Sequence, residues 1–232
     1  MRWRRTLAVA ASLAALPLAF VGYTLAANRP SARERAARMP GDAFIPRPMV
    51  AMTQAVTVDA PPDSVWPWLA QMGVGRAGWY SYAVIDNDGT PSADVVLGQF
   101  QHIAVGDVLP AGPGATDAFI VLAVDPPRDL VLGGPPDPIR GHRATWEFLL
   151  EPLAGARTRL IVRVRVAEHW LSGAAALDAG GIPAPRRLIE RVYALMARLP
   201  KRVLIGFAGL GHRVMQNEQL RGVKTRAERR RA

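Results

Sequence analysis

Two runs near the middle of the chain, Ala144–Leu153 and Thr158–Ala167, alternate apolar and charged residues with a period of two, and together they allow one pairing. Trp146, Phe148 and Leu150 share a face with Leu160, Val162 and Val164, while Glu147, Glu151, Arg159, Arg163 and Arg165 lie on the other. An antiparallel hairpin that sets Glu151 against Arg159 and Glu147 against Arg163 also sets Leu150 against Leu160 and Phe148 against Val162. Each such pair is worth about 0.2–1 kcal/mol, and a slip of one residue would place arginines opposite Leu150 and Phe148. The chain must therefore build a sheet with one apolar and one charged face. The arginines read first as a solvent-facing surface, and as an anion site in a second reading.

Other segments extend this sheet. Val50, Met52, Val56 and Val58 alternate with smaller or polar residues, as a half-buried strand does. Asp59-Ala60-Pro61-Pro62-Asp63 stops that strand and starts a helix that runs to about Met72 and ends at Gly73. A short helix or turn follows over Trp79 to Ile85 and closes at Asp86-Asn87-Asp88-Gly89. Further strands are expected over Ile103–Leu109, Ala118–Asp125 and Asp129–Leu132, separated by Pro- and Gly-rich turns. After Gly180-Gly181-Ile182-Pro183 the pattern becomes helical and is divided at Pro200. Leu188, Val192, Leu195, Met196 and Leu199 form one stripe, and Leu204, Phe207, Val214 and Met215 continue the apolar character. The order predicts an α+β fold in which a curved antiparallel sheet wraps around a long C-terminal helix.

Aromatic residues gather at Trp66, Trp68, Trp79, Tyr80 and Tyr82. Large amphipathic rings in one place build either a core corner or the wall of an apolar pocket, and both readings stand. On the pocket reading the lining residues are Trp66, Trp79, Tyr80, Tyr82, Trp146, Phe148, Val162 and Val214. Trp66 and Trp68 are two apart on a helix, so they are expected to point different ways.

Charge divides the chain into parts. Residues 1–48 carry a net +6, residues 49–185 a net −6, and residues 186–232 a net +10. An acidic body between basic flanks argues against a nucleic-acid binder, which would show a basic face within the folded body. Arg2, Arg4 and Arg5 precede Thr6 to Ala27, a run of 22 residues without a charge. At 1.5 Å per residue it reaches about 33 Å, enough to cross a hydrocarbon layer of about 30 Å. It is therefore expected to be an N-terminal transmembrane helix, with a signal peptide as the other reading. The basic start favours a cytoplasmic N-terminus and an extracytoplasmic domain at the cell membrane. The expected organisation is an anchor over residues 1–28, a juxtamembrane linker over 29–48, one ligand-binding domain over 49–223 and a basic tail over 224–232. Basic flanks beside an anchor also suit anionic lipid. There are no cysteines, which excludes disulfides and thiolate metal sites.

Motif matches yield no enzyme class. Gly73-Val74-Gly75-Arg76-Ala77-Gly78 spells a dinucleotide fingerprint but follows a helix instead of a strand. Asp86-Asn87-Asp88-Gly89 starts like a calcium loop and lacks its later ligands. His102, His142, His169 and His212 have no metal-ligand spacing, and no serine sits in a GxSxG elbow. Asp107 after Gly106 caps a turn. No cofactor or metal is expected.

The element order, with Ala60 to Gly73, Gly78-Trp79-Tyr80-Ser81-Tyr82, Gly106-Asp107, Thr158-Arg159-Leu160 with Arg163 and Arg165, and Leu220 to Glu228, resembles the START-related, Bet v 1-like superfamily of helix-grip proteins. The closer likeness is to its membrane-anchored bacterial branch, whose members are often labelled polyketide cyclase/dehydrase or lipid-transport-like. The resemblance implies an apolar cavity between sheet and C-terminal helix, and it implies no single chemistry, because binders, carriers and enzymes share the fold. The expectation is a membrane-anchored domain that holds a hydrophobic small molecule or lipid. One alternative is a cyclase- or dehydratase-type enzyme using Tyr80, Tyr82, Asp86 or His102 as acid or base. Another is an envelope scaffold whose groove binds a partner protein.

Overall fold

The computed structural model describes residues 21–113, 118–134, 136–170 and 200–229. Its elements run α1 (Ala32–Ala36), β1 (Val50–Val58), α2 (Pro62–Ala70), α3 (Ala83–Asp86), β2 (Val108–Pro110), β3 (Ala118–Asp125), β4 (Asp129–Gly133), β5 (Ala144–Leu153), β6 (Arg157–Val166) and α4 (Lys201–Ala227). The strands form one antiparallel sheet in the order β1-β6-β5-β4-β3-β2. The β5–β6 hairpin has the register read from its charge pattern, with Glu147 opposite Arg163, Glu151 opposite Arg159 and Phe148 opposite Val162. The strand expected over Ile103–Leu109 shrinks to Val108–Pro110. Gly106 adopts a positive φ of 95°, and the Asp107 carboxylate accepts a bond from the Ala104 amide at 2.9 Å, so a turn replaces most of it.

The inner face of the sheet carries Phe148, Leu150, Leu160, Val162, Leu130 and Leu132, all buried, and α2 and α4 pack over it. Burying each such side chain is worth about 1.5–3 kcal/mol. Trp66 and Trp68 were expected to diverge, yet both are buried in this core. Because α2 is covered on more than one side, two neighbouring helical positions can both reach apolar surroundings. From α4 Leu204 is buried near its start, and Gln216, Gln219, Leu220, Val223 and Ala227 are buried along one helical face. The apolar stripe over 188–199 lies outside the described residues.

The outer face is not the solvent surface that its arginines suggested. Residues 29–48, expected as a linker, lie across it as a strap, and the Arg163 side chain is only 3% exposed. Arg163 donates to the Asp42 carboxylate at 2.9 Å, to the carbonyl of Ala37 at 2.8 Å and to that of Glu34 at 2.7 Å. Arg165 holds the other Asp42 oxygen at 2.7 Å and the Ile45 carbonyl at 2.9 Å. Arg159 grips Glu34 with two bonds, 2.6 and 3.1 Å. The strap is shaped locally by a capping box, in which Ser31 Oγ accepts from the Glu34 amide and Glu34 returns the bond to the Ser31 amide. Met39 packs with Ala55, Leu149 and Ile161 beneath it. Strand pattern alone set the arginines and glutamates as mutual partners, whereas the arginines reach across to a segment more than a hundred residues earlier.

Residues 21–26 are helical and end against the free edge of β1. There the Ala55 amide donates to the Asn28 carbonyl at 2.9 Å. Asn217 of α4 accepts from Asn28 at 3.0 Å and from Gln54 at 2.6 Å, and donates to the Thr24 carbonyl at 3.1 Å. Among the described residues no helix is long and apolar enough to cross a membrane. The expected span, Thr6 to Ala27, lies mostly outside them. Residues 224–227, expected to open a basic tail, are instead the last turn of α4. Lys224 donates to the Thr57 carbonyl at 2.8 Å, and Arg226 to that of Ala93 at 2.8 Å.

Candidate functional site

Between the sheet and α4 the aromatic side chains meet ring to ring. Trp79 lies 5.5 Å from Trp146 and 5.4 Å from Phe119, and Phe119 lies 5.4 Å from Trp146, so three rings form a triangle. Phe148 continues it at 5.0 Å from Trp146, and His212 of α4 faces Trp146 at 6.3 Å. Trp146 and Phe119 remain half-buried, so the triangle has an open side. Polar atoms are few and specific. Trp146 Nε1 donates to Gln216 Oε1 at 2.9 Å, Gln216 Nε2 donates to Gln219 Oε1 at 2.7 Å, and Gln219 Nε2 reaches Met72 Sδ at 3.7 Å. Trp79 is 3% exposed, and its indole N–H has no partner. A buried, unsatisfied donor costs about 1–3 kcal/mol.

The other aromatic positions divide. Tyr80 is buried, with its hydroxyl accepting from Gln71 Nε2 at 2.8 Å and its ring stacked under the Arg226 guanidinium at 4.9 Å. Burial pushes its hydroxyl up to about 12, so it stays protonated at neutral pH. Trp68 meets Tyr80 edge-on at 6.0 Å. Phe148 and Val162 are buried on the inner sheet face, Trp66 is buried on α2, and Val214 is half-buried on α4. Tyr82 is 41% exposed and lies away from these contacts. Of the eight residues expected to line a pocket, the ring contacts join Trp79, Trp146 and Phe148. Tyr80 joins Trp68 and Arg226 instead.

The acid/base set named from the sequence does not converge on this site. His102 is exposed, Tyr82 is exposed, and Tyr80 is tied to Gln71. Burial raises Asp86 to about 6 on the short helix α3. His212 was passed over as a scattered histidine and belongs to the ring cluster, where burial first, and the nearby Arg213 second, lower it to about 4. It is neutral at pH 7. Gln216 and Gln219 were also missed. Their signal was legible: two amides three residues apart share the helical face that carries Leu220 and Val223. Among the described residues no cluster of three or more histidines or acids could hold a metal ion. The Gly73–Gly78 segment is a tight loop in which the Gly73 and Gly78 backbones bond to each other. A β-carbon on Gly78, at φ 78°, would meet Ser92 Oγ at 2.5 Å, so packing accounts for that glycine.

Two concavities lie elsewhere on the described surface. One, of about 400 Å³, sits between the strap, β1, β6 and α4 and is rich in arginine. The other, of about 480 Å³, lies beside Val74, Arg76 and Asn87. Neither concavity is lined by a residue of the ring cluster.

No family model matches the chain, and no curated protein matches it. Solved structures do. An aromatase/cyclase from Streptomyces sp. R1128 is 24% identical, with 79% of this chain and 96% of that one covered and a TM-score of 0.39. A protein from Mesorhizobium loti is 16% identical, covering 79% and 100%, with a TM-score of 0.40. A polyketide-cyclase-like protein from Corynebacterium glutamicum is 14% identical, covering 81% and 100%, with a TM-score of 0.35. The chain's own topology, a six-stranded antiparallel sheet closed by one long C-terminal helix, is the arrangement expected from the resemblance. The fold is a helix grip. All three structural likenesses are distant, and no chemistry transfers from them to this helix-grip chain.

Proposed function

We infer that the domain binds an apolar, flat-faced small molecule between sheet and C-terminal helix, against the Trp79–Phe119–Trp146 triangle. The observation that carries this reading is the buried Trp79 indole N–H, left without a partner among aromatic rings that stay open on one side. Interior donors are normally satisfied, so an unpaired one marks where a ligand acceptor belongs. The rings supply apolar contact, and Gln216 supplies a second polar handle beside Trp146. A binding role is favoured over catalysis, because Tyr80, Tyr82, Asp86 and His102 form no acid/base pair with these rings. The run from Thr6 to Ala27 would tether the domain to the cell membrane, with the body on the extracytoplasmic side. That part of the reading rests on the sequence, and resistance of the full chain to alkaline extraction from membranes tests it.

The binding test is native mass spectrometry of the full chain extracted in mild detergent, joined to titration with the apolar fluorophore N-phenyl-1-naphthylamine. A co-extracted apolar compound, and probe binding that quenches tryptophan emission, are expected. Trp79→Phe keeps an aromatic ring, though a smaller one, and removes the donor, so a ligand with a hydrogen-bond acceptor should bind about tenfold more weakly, the equivalent of roughly 1.4 kcal/mol. A bare protein that also leaves the probe unbound would sink the reading.

A further inference from the structure

The arginine-rich recess between the strap, β1, β6 and α4 shares no lining residue with the ring cluster. It holds about 400 Å³ and is walled by Arg29, Arg35, Arg38, Arg163, Arg165 and Arg213, with Asp42 as the one acid among its lining. Among the described residues the lining counts six arginines against a single carboxylate, an excess of five positive charges. Asp42 is already shared by Arg163 and Arg165, and nearby Glu34 is taken by Arg159. Arg29 and Arg35 have only main-chain partners, the carbonyls of Leu25 and Pro30. Arg38 and Arg213 make no hydrogen bond or ion pair in the described structure.

Arginines concentrated in one hollow repel each other, and nothing in the fold requires Arg38 or Arg213 to be there. The strap is held by Arg159, Arg163 and Arg165, so the two free guanidiniums do not serve its attachment. Arg213 also sits one helical turn before Asn217, whose side chain holds the end of the N-terminal segment. The hollow is therefore assembled from three separate parts of the chain: the strap, the β1–β6 face and α4. Guanidiniums from different directions around a small concavity suit a compact anion with several equivalent oxygens, which each planar fork can grip with two bonds.

The geometry points to a binding site for a phosphoryl group in this recess, with Arg38 and Arg213 as the two free donors and Arg163 and Arg165 as its fixed floor. A phosphoryl group reaches a protein either free in solution or on a lipid headgroup. Leu25, from the helical turn that ends the long apolar N-terminal run, lines the same hollow, and this favours the headgroup. A lipid phosphate bound here would offset part of the charge excess and fix the folded body against the membrane surface. This site does not depend on the interior ring cluster, so Trp79→Phe leaves it unchanged.

The test uses the full chain in neutral detergent, titrated calorimetrically with three probes: dihexanoyl phosphatidic acid, inorganic phosphate and dihexanoylglycerol. The phosphatidic acid should bind, and binding should weaken steeply with salt. The double variant Arg38→Gln/Arg213→Gln should lose at least tenfold in affinity while keeping its thermal midpoint, because neither side chain has a structural partner. Tighter binding of phosphatidic acid than of inorganic phosphate assigns the source to lipid, and the reverse assigns it to a soluble phosphate. The proposal is overturned if neither phosphorylated probe binds. It is equally overturned if dihexanoylglycerol binds as well as phosphatidic acid, or if the double variant binds like the parent.

Discussion

The backbone carbonyl oxygen of Tyr80 occupies the space into which a β-carbon would project from Gly222. The contact fixes the C-terminal helix against the loop that carries the aromatic cluster. Tyr80 has a positive φ of 59°, a conformation that costs a non-glycine residue about 1–3 kcal/mol. It is held there by its amide bond to Ser92 Oγ at 2.9 Å, its hydroxyl bond from Gln71 and the Arg226 guanidinium over its ring. Gly222→Ala must push helix and loop apart, and about 1–3 kcal/mol of stability should be lost. Gly206 lies in the same helix with nothing within 4 Å of its would-be β-carbon. There the alanine should stabilise by about 0.5–1 kcal/mol. Urea denaturation of the two variants checks the pair, and equal effects at both sites would refute the account.

Gln71 is a buried amide with every polar atom used. Its nitrogen donates to Tyr80 Oη at 2.8 Å and to the Val95 carbonyl at 3.1 Å, and its oxygen accepts from the Leu97 amide at 2.8 Å and from Gln101 at 3.1 Å. It thereby joins the end of α2 to the segment before β2. Gln71→Met keeps the volume and leaves these partners unpaired, at about 1–3 kcal/mol for each group that stays buried. A fall in denaturation midpoint is expected, with faster amide hydrogen exchange at Leu97. Unchanged exchange at Leu97 would show that the amide is not what holds this segment.

Arg163 makes the strap part of the domain. Replacing it by alanine leaves the Asp42 carboxylate with Arg165 and the Met39 amide and removes the donor to the carbonyls of Ala37, Glu34 and Arg35. Removing one partner of a buried ion pair costs about 3–5 kcal/mol. Arg163→Ala should therefore destabilise the whole domain and expose residues 29–48 to limited proteolysis. Removal of residues 1–48 should do the same or worse, because Arg163 and Glu147 would lose their cover. If that truncated chain melts like the parent, the strap is not structural.

How far the sequence carried these conclusions depended on the range of the interaction. Strand alternation is local, so the β5–β6 hairpin and its pairing were legible to the residue, as was the break between β1 and α2 at Pro61-Pro62. Gly106-Asp107 shows the limit of that signal. Its flanking valines look like a strand, while the positive φ at Gly106 turns the chain there. The strap was illegible for a different reason. Nothing near Glu34 or Asp42 indicates that their partners are Arg159, Arg163 and Arg165, and the nearer Glu147 and Glu151 offered a plausible false pairing. In the interior, the aromatic residues pointed to the right region. Which of them touch, and that Tyr80 turns away to Gln71, depended on backbone conformation that composition does not encode.

Glu147 gives the fold a pH dependence whose sign can be worked out. Its carboxyl lies under the strap, accepting the Gly41 amide at 3.0 Å, beside the Asp129 carboxyl of β4. Burial first, and the neighbouring Asp129 charge as well, raise Glu147 from 4.5 to about 8, and burial raises Asp129 from 3.8 to about 6. Arg163, opposite Glu147 in the sheet, spends its donors on the strap and Thr53 instead. The folded state thus binds protons that the unfolded chain releases between pH 4.5 and about 8, so stability falls as pH rises through that window and levels above it. Glu34 acts at the other end. The Arg159 bond lowers it from 4.5 to about 2, and its contribution is lost as pH falls through that range. Glu147→Gln mimics the protonated acid and keeps an acceptor for Gly41. Urea midpoints measured from pH 5 to 9 should decline for the parent and stay nearly level for the variant, apart from the part due to Asp129 below about 6. Parallel declines in the two proteins would mean that some other group carries the alkaline loss.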